Sequence, residues 1–273
     1  MTIHRNLRHE FPDTREAERV EAEGWSAVYA AAPPELALKT SEIAGATLLI
    51  APSIDILAYN RVLSFGLNEV PHQKDLQEII QTYASAGVGR FFLQLPPEAD
   101  RDGISEMLYA QGFRPYNDWA KLRRGVADIP EFAVCADIRH ATPADGPVYA
   151  EILIEAFDWT PELSGLLSCT IGKNGWSHYL ALVDGEAAAC AALYRTGTTA
   201  ALAMAGTRPR FRGSGLQPAL IRRRLLDCAG AGVQTVVTET GVDGPDHPSP
   251  SFRNMRKAGF ELAYLRRNWL FEG

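Results

Sequence analysis

The chain has 273 residues, of which 46% are hydrophobic and 22% charged, and a net charge of −6. That length allows one large domain or two of ordinary size, and the composition is that of a soluble globular protein. The acidic balance lacks the basic footprint of a nucleic-acid groove. The most apolar stretch, GATLLIAP, is far too short for a membrane span.

The N-terminal stretch MTIHRNLRHEFPDTREAERVEAEG has no apolar core, so no signal peptide is expected. Cys135, Cys169, Cys190 and Cys228 stand alone and far apart. With no Cys-x-x-Cys pair and no His at ligand spacing from another, no metal site is expected. Reduced thiols in the cytoplasm are the reading that follows.

Along the chain, DLQEIIQTYASAGVGRFFLQL from Asp75 reads as a helix, an Ala-Gly-Val stop and a strand. MLYAQGFRPYNDWAKLRR follows as a helix and a further strand. A Pro-containing stretch, RGVADIPEFAVCADIRH, marks a boundary, dividing the chain into residues 1–130 and 131–273. Past it, IRHATPADGPVYAEILIEAF reads as strand, turn and helix. HYLALV-DG-EAAACAALY reads as a hairpin whose Asp184-Gly185 suits a two-residue turn. Thr196-Gly197 turns the chain into the strand TAALAMAG, and RFRGSGLQ leads into the helix PALIRRRLLDCAGAG.

The two halves echo one another. Ala86-Gly87-Val88 recurs as Ala231-Gly232-Val233, 145 residues on, and Gly112-Phe113 recurs as Gly259-Phe260, 147 residues on. A near-constant offset across helix, strand, helix and strand predicts a duplicated unit.

The glycines of RFRGSGLQ sit between a strand and a helix, where backbone N–H groups lack intrahelical partners and the helix dipole favours an anion. A P-loop is excluded because no Lys-Ser or Lys-Thr follows a suitable glycine. The dinucleotide pattern fails because Pro218 stands at its third glycine and the preceding strands are hairpins. No GxSxG supports a serine hydrolase.

TRPRFRGSGLQPALI, followed by AGAGVQTVVTET and SFRNMRKAGF, resembles the GCN5-related N-acetyltransferase (GNAT) superfamily. Pro209, Arg212, Gly213 and Gly215 match its pyrophosphate loop, and Gln217 departs at the last small position. The resemblance implies an α/β (α+β) fold of two tandem GNAT-like domains, each a mixed, mostly antiparallel sheet flanked by helices. It implies acetyl-CoA held by Thr207, Arg212, Gly213, Ser214, Gly215, Leu216, Gln217 and Asn254, with no metal. The implied activity is direct acetyl transfer to the amine of a small molecule, by a monomer or homodimer. A carbonyl-polarising bulge is expected around Met204 to Thr207.

Glu239, at a strand end, is the candidate base, with an ordinary exposed Glu as the alternative. Many members carry a Tyr acid where this chain has Met255, which cannot donate a proton. Water or Tyr264 could serve instead, and Ser251 is a candidate contact to the sulphur. Asp158, Trp159, Trp176 and His178 are candidate acceptor contacts, although such aromatics more often belong to a core. The missing Tyr leaves a non-catalytic acyl-CoA binder open as a second reading.

In the first half the offset of 145 puts Leu67, Asn68, Glu69 and Val70 where Arg212 to Gly215 stand. A carboxylate about 5 Å from a pyrophosphate costs roughly 3 kcal/mol at an effective dielectric of 20. The helix dipole returns only about 0.3–1 kcal/mol. The first half is therefore expected to bind no coenzyme A and to complete the fold and the acceptor wall.

Overall fold

The computed structural model describes residues 14–101, 103–132 and 136–273; Cys135 lies outside them. The first half supplies α1 (Thr14–Ala31), β1 (Lys39–Ile43), β2 (Ala46–Ile50), β3 (Arg61–Leu63), α2 (Gln73–Ser85), β4 (Arg90–Leu95), α3 (Ile104–Ala110) and β5 (Arg114–Gly125). The second supplies β6 (Asp137–His140), α4 (Gly146–Phe157), α5 (Ser164–Ser168), β7 (Trp176–Val183), β8 (Glu186–Thr196) and β9 (Thr199–Thr207). It ends with α6 (Leu216–Gly230), β10 (Thr235–Gly241), α7 (Pro250–Lys257) and β11 (Glu261–Glu272).

All the strands join one sheet in the order β1-β2-β3-β4-β11-β5-β10-β9-β8-β7-β6. Only β3/β4 and β9/β10 are parallel. Apart from β6, which has no counterpart among the described residues, the order is symmetric about the β11/β5 pair, so the halves exchange their last strands. β5 lies against β10 of the second half, and β11 lies against β4 of the first. The exchange is fixed by side chains: Trp269 of β11 is buried in the first half's core, and Ala120 and Leu122 of β5 in the second's.

The sheet is covered on both faces, which explains its runs of buried residues. Tyr179 and Ala181 pack with Leu220 and Leu225 of α6, while the intervening Leu180 packs with Leu153 of α4. In the first half Leu48 packs with Leu76 of α2, and Leu49 faces Tyr29 of α1. The turn at Asp184-Gly185 has φ of 50° and 82°, the positive pair that a tight hairpin requires.

α1 crosses from β1 and β2 to β8 and β9. Gly24 permits this, since a Cβ there would stand 3.1 Å from Cδ1 of Tyr194. Its inner face carries Glu18 and Glu21, one turn apart and both buried. They meet cations on three strands. Arg266 Nη1 is 2.5 Å from Glu18 Oε2 and 2.9 Å from Glu21 Oε2; Arg61 Nη1 is 3.3 Å from Glu21 Oε1. Lys121 Nζ bonds Glu21 and stands 3.7 Å from Glu18 and from Glu239. Burial alone would push the Glu21 carboxyl up, but Arg266, Lys121 and Arg61 outweigh it and hold it below the usual carboxylate range.

The symmetry related to this cluster is chemical as well as topological. Glu239 pairs with Lys121 across β10/β5, and at the matching register of β4/β11 Gln94 pairs with Asn268. There the Gln94 amide donates to Asn268 at 2.7 Å, with both side chains fully buried.

Removing one partner from a buried ion cluster leaves a charge uncompensated. Arg266→Met is expected to lower the unfolding free energy by about 3–5 kcal/mol, read by urea denaturation. A loss well under that range would show that the cluster does not hold α1.

Candidate functional site

The parallel pairing of β9 with β10 runs from Thr199/Thr235 to Leu202/Thr238 and then ends. Beyond it, β9 continues only beside β8 and β10 only beside β5, so the two strands splay. At the opening, β9 bulges: Cys190 faces Gly206 while Ala192 faces Ala203, which leaves one extra residue on β9. Met204 takes the left-handed conformation there with φ of 43°, and its carbonyl accepts from the Tyr149 hydroxyl at 3.1 Å.

β9 runs into a short 3₁₀ turn at Pro209–Phe211 and then into the glycine loop. Gly213 and Gly215 have φ of 83° and 80°, a region in which an L side chain is strained by roughly 1–2 kcal/mol. A Cβ at Gly213 would meet only open space, so the loop's outer surface is clear. Among the described residues the backbone N–H groups of Gly213, Ser214, Gly215 and Leu216 find no backbone or side-chain acceptor. Leu216 is buried and pins the helix start to the core.

The side chains of the loop support its shape. Arg212 donates to the Ala156 carbonyl at the end of α4 at 2.8 Å. Ser214 donates to the Phe211 carbonyl at 2.5 Å. Gln217 turns back onto β9, donating to the Gly206 carbonyl at 2.9 Å and to the Thr207 hydroxyl at 3.0 Å. The larger side chain at that position is thereby folded away from the open N–H groups. Arg222 pairs with Glu131, Arg223 with Asp227, and Arg224 is buried against the carbonyls of Leu220 and Ala192.

At the splay lies a cavity of about 130 Å³. Its walls come from both halves: Glu21 and Trp25 of α1, Arg61 of β3, Lys121 of β5, Trp176 of β7, and Met204 and Glu239 beside the opening. Glu239 is therefore on the wall, but its carboxylate is occupied. Oε2 accepts from Arg266, and Oε1 lies 3.2 Å from Arg61 Nη1.

The remaining candidates fall in separate places. Tyr264 donates to Glu18 Oε1 at 2.6 Å inside the ion cluster, where burial and Glu18 push its phenol far up. Ser251 is exposed in the first turn of α7, and Met255 is buried in the second half's core. Asn254 is half-buried in the same helix. Asp158 is the exposed left-handed cap of α4, and Trp159 packs edge-on against Tyr59 at 6.1 Å. Trp176 reaches the cavity, whereas His178 stands behind it, 3% exposed, with Nε2 3.1 Å from the Thr170 hydroxyl. Cys169, Cys190 and Cys228 are free thiols, pushed by burial to about 11, 12 and 12.

The matching end of the first half has different chemistry. α2 starts two residues later in the repeat than α6, and the Asp75 carboxylate already accepts from the His72 N–H at 2.7 Å. The preceding turn is filled by Arg15, which donates to the Leu67 carbonyl, and by Asn68, which donates to that of Gly45. Among the described residues, no group of three or more His, Cys, Asp or Glu could hold a metal ion, and no helix is long and apolar enough to cross a membrane.

Sequence reasoning missed Glu18, Glu21, Arg61, Lys121 and Arg266. The only signal was a second acid on an inward helical spacing, in a helix whose other faces are also charged.

No family model and no curated protein matches the chain. Solved structures match it by fold. A GCN5-related N-acetyltransferase from Kribbella flavida is 16% identical with a TM-score of 0.65, over 94% of this chain and 95% of that one. One from Sphaerobacter thermophilus is 18% identical with a TM-score of 0.60, over 83% and 80%. A tandem GNAT protein from the clavulanic acid biosynthesis pathway is 15% identical with a TM-score of 0.58, over 95% and 96%. The chain has the GNAT fold.

Burial lowers His178 to about 4, so the folded protein keeps it neutral while the unfolded chain takes up a proton near the ordinary value of 6.5. The unfolded state binds more protons between those values, so stability falls as pH drops through that window. The expected loss is about 3 kcal/mol from this one group. Denaturation of His178→Phe beside the parent at pH 7 and pH 4.5 checks it: the variant should lose less.

Proposed function

We propose that this chain is an acetyl-CoA-dependent N-acetyltransferase acting on the primary amine of a small molecule by direct transfer. In this reading residues 131–273 carry the coenzyme A loop, and residues 1–130 close the acceptor side. The observation that carries it is the row of unpartnered N–H groups from Gly213 to Leu216, at the start of α6 and below the splay. Four donors with a helix dipole behind them and no acid in the first turn suit a pyrophosphate.

Acetyl-CoA supplies the thioester. The acceptor nitrogen attacks its carbonyl carbon, a C–N bond forms as the C–S bond breaks, the nitrogen loses a proton and the sulphur gains one. The strand edge at the Met204 bulge is where this chain's backbone dipoles would meet the carbonyl. Glu239 is a wall carboxylate beside the opening, and each of its oxygens already accepts from a guanidinium, Oε1 from Arg61 and Oε2 from Arg266. Met255 is in the core with no proton to give and the Tyr264 hydroxyl is spent on Glu18, which in this reading leaves solvent as the proton source for the sulphur.

The occupied Glu239 carboxylate and the buried Met255 favour one second reading, a protein that binds acyl-CoA without turning it over. Thiol release from acetyl-CoA over a panel of amines separates the two: release with an acceptor supports the enzyme, and binding without release the other.

Gly215→Glu is expected to abolish acetyl-CoA binding measured by calorimetry, by placing a carboxylate at the helix start. Gly215→Ala, which brings strain alone, should retain binding, and Glu69→Lys in the first half should leave it unchanged. Equal loss from Gly215→Glu and Glu69→Lys would refute a single coenzyme A site.

A further inference from the structure

Among the described residues, seven other than glycine have a positive φ, and of these Met204 alone lies inside a strand. The other six stand at turns, caps and loops. A methionine seldom takes this conformation unless its surroundings hold it there.

The holding contact comes from outside the strand. Tyr149 of α4 is fully buried, and its hydroxyl donates to the Met204 carbonyl at 3.1 Å. Its ring packs edge-on against His178 with centres 5.2 Å apart. Burial pushes the phenol well above its usual range, so the hydroxyl keeps the proton it donates. α4 is seated directly on β9 at Gly206, where a Cβ would stand 3.0 Å from that of Ala156 and 3.1 Å from Leu153 Cδ2. Ala156 also offers its carbonyl to Arg212 of the glycine loop. Tyr149 and Ala156 are about two turns apart, so one face of α4 meets the bulge at one end and the loop at the other.

The corresponding place in the first half is closed differently. Val62 pairs with Leu93 as Leu202 pairs with Thr238, so Ser64, with φ of 62°, stands in register with Met204. The Ser64 carbonyl accepts from the Leu67 N–H at 3.2 Å in a local turn, and β3 has already ended at Leu63. β9 instead runs on to Thr207, with the Met204 carbonyl turned to a hydroxyl from another element.

We infer that Tyr149 is a positioning residue for acetyl transfer: its hydroxyl holds Met204 left-handed and so sets the strand edge beside which the acyl carbonyl would lie. This rests on the acetyl-transfer reading and adds to it a buried residue of α4.

Tyr149→Phe removes the hydroxyl and keeps the ring. In the free protein, hydrogen exchange across residues 203–207 should quicken about fivefold, the loss of one neutral hydrogen bond, with α6 unchanged. With acetyl-CoA carrying 13C at its carbonyl, the infrared shift of that carbonyl on binding should shrink, while the dissociation constant from calorimetry stays as in the parent. With an amine that reacts, kcat should fall about fivefold and KM for acetyl-CoA should hold. Glycine takes the left-handed conformation freely, so in a Met204→Gly background Tyr149→Phe should cost about twofold at most.

Unchanged exchange across β9 overturns the proposal, as does faster exchange with the parent's carbonyl shift; in both cases the transfer reading stands. Equal losses in the parent and Met204→Gly backgrounds make the hydroxyl a packing contact and overturn it too. If the parent binds acetyl-CoA but acetylates no amine, transfer fails and the carbonyl shift decides whether Tyr149 sets the strand edge. If the parent binds no acetyl-CoA, the transfer reading fails and the positioning role with it.

Discussion

The arrangement depends on a charge balance at the centre of the sheet. Glu18 and Glu21 bring α1 down onto Arg266, Lys121 and Arg61, and Glu239 completes the set from β10. Taking six charged groups from water costs several kcal/mol per ion before any attraction is counted. Such a set persists only where every member has partners, which makes the position of α1 nearly all-or-none. Because α1 is also a wall of the cavity, the shape of the cavity is set by the same contacts that hold the halves together.

The two halves differ where chemistry would occur. At one position the sheet carries Glu239 and Lys121, at its counterpart Gln94 and Asn268. One pair faces across the strands as an ion pair at 3.7 Å and the other as an amide hydrogen bond at 2.7 Å, and only the first can hold or exchange charge. The helix starts differ in the same sense. α6 begins at a glycine with open N–H groups, whereas α2 begins at His72 with a carboxylate already in place. The Arg61 and Gln94 side chains bond each other at 3.1 Å, so the neutral pair still touches the charged one.

Much of this was legible in the residues. The Asp184-Gly185 turn and the glycine loop have local causes: positive φ, missing side chains and helix-end dipoles act within a few residues of the letters that signal them, whereas the β9 bulge was expected only from the resemblance. The Ala-Gly-Val and Gly-Phe stops are local too, following α2 and α3 in one half and α6 and α7 in the other. The ion cluster was not. In TREAERVEAEGWSAVYAA charges occur on every face, and nothing local distinguishes the buried Glu18 and Glu21 from the half-exposed Glu23. Lys121 and Arg266 lie in strands whose partners are far off in the chain, so their burial depends on a register that the flanking residues do not encode. Glu239 was found by its position at a strand end, while its partners arrive from three other elements and change what it can do.

The exchange of final strands also bears on the order in which the protein can form. The first half's core is closed by Trp269 and bordered by β11, which lie far along the chain from β4. A ribosome that has delivered residues 1–130 has therefore released a sheet with β4 unpaired on one side and an apolar slot where Trp269 belongs. Domains commonly fold as units while the chain emerges, N-terminal first. Here that route stops short, and the emerging half carries an open strand edge until β11 has been made. An unpaired β4 edge before β11 arrives, and a first half that depends on β11 being present, are built into the connectivity itself.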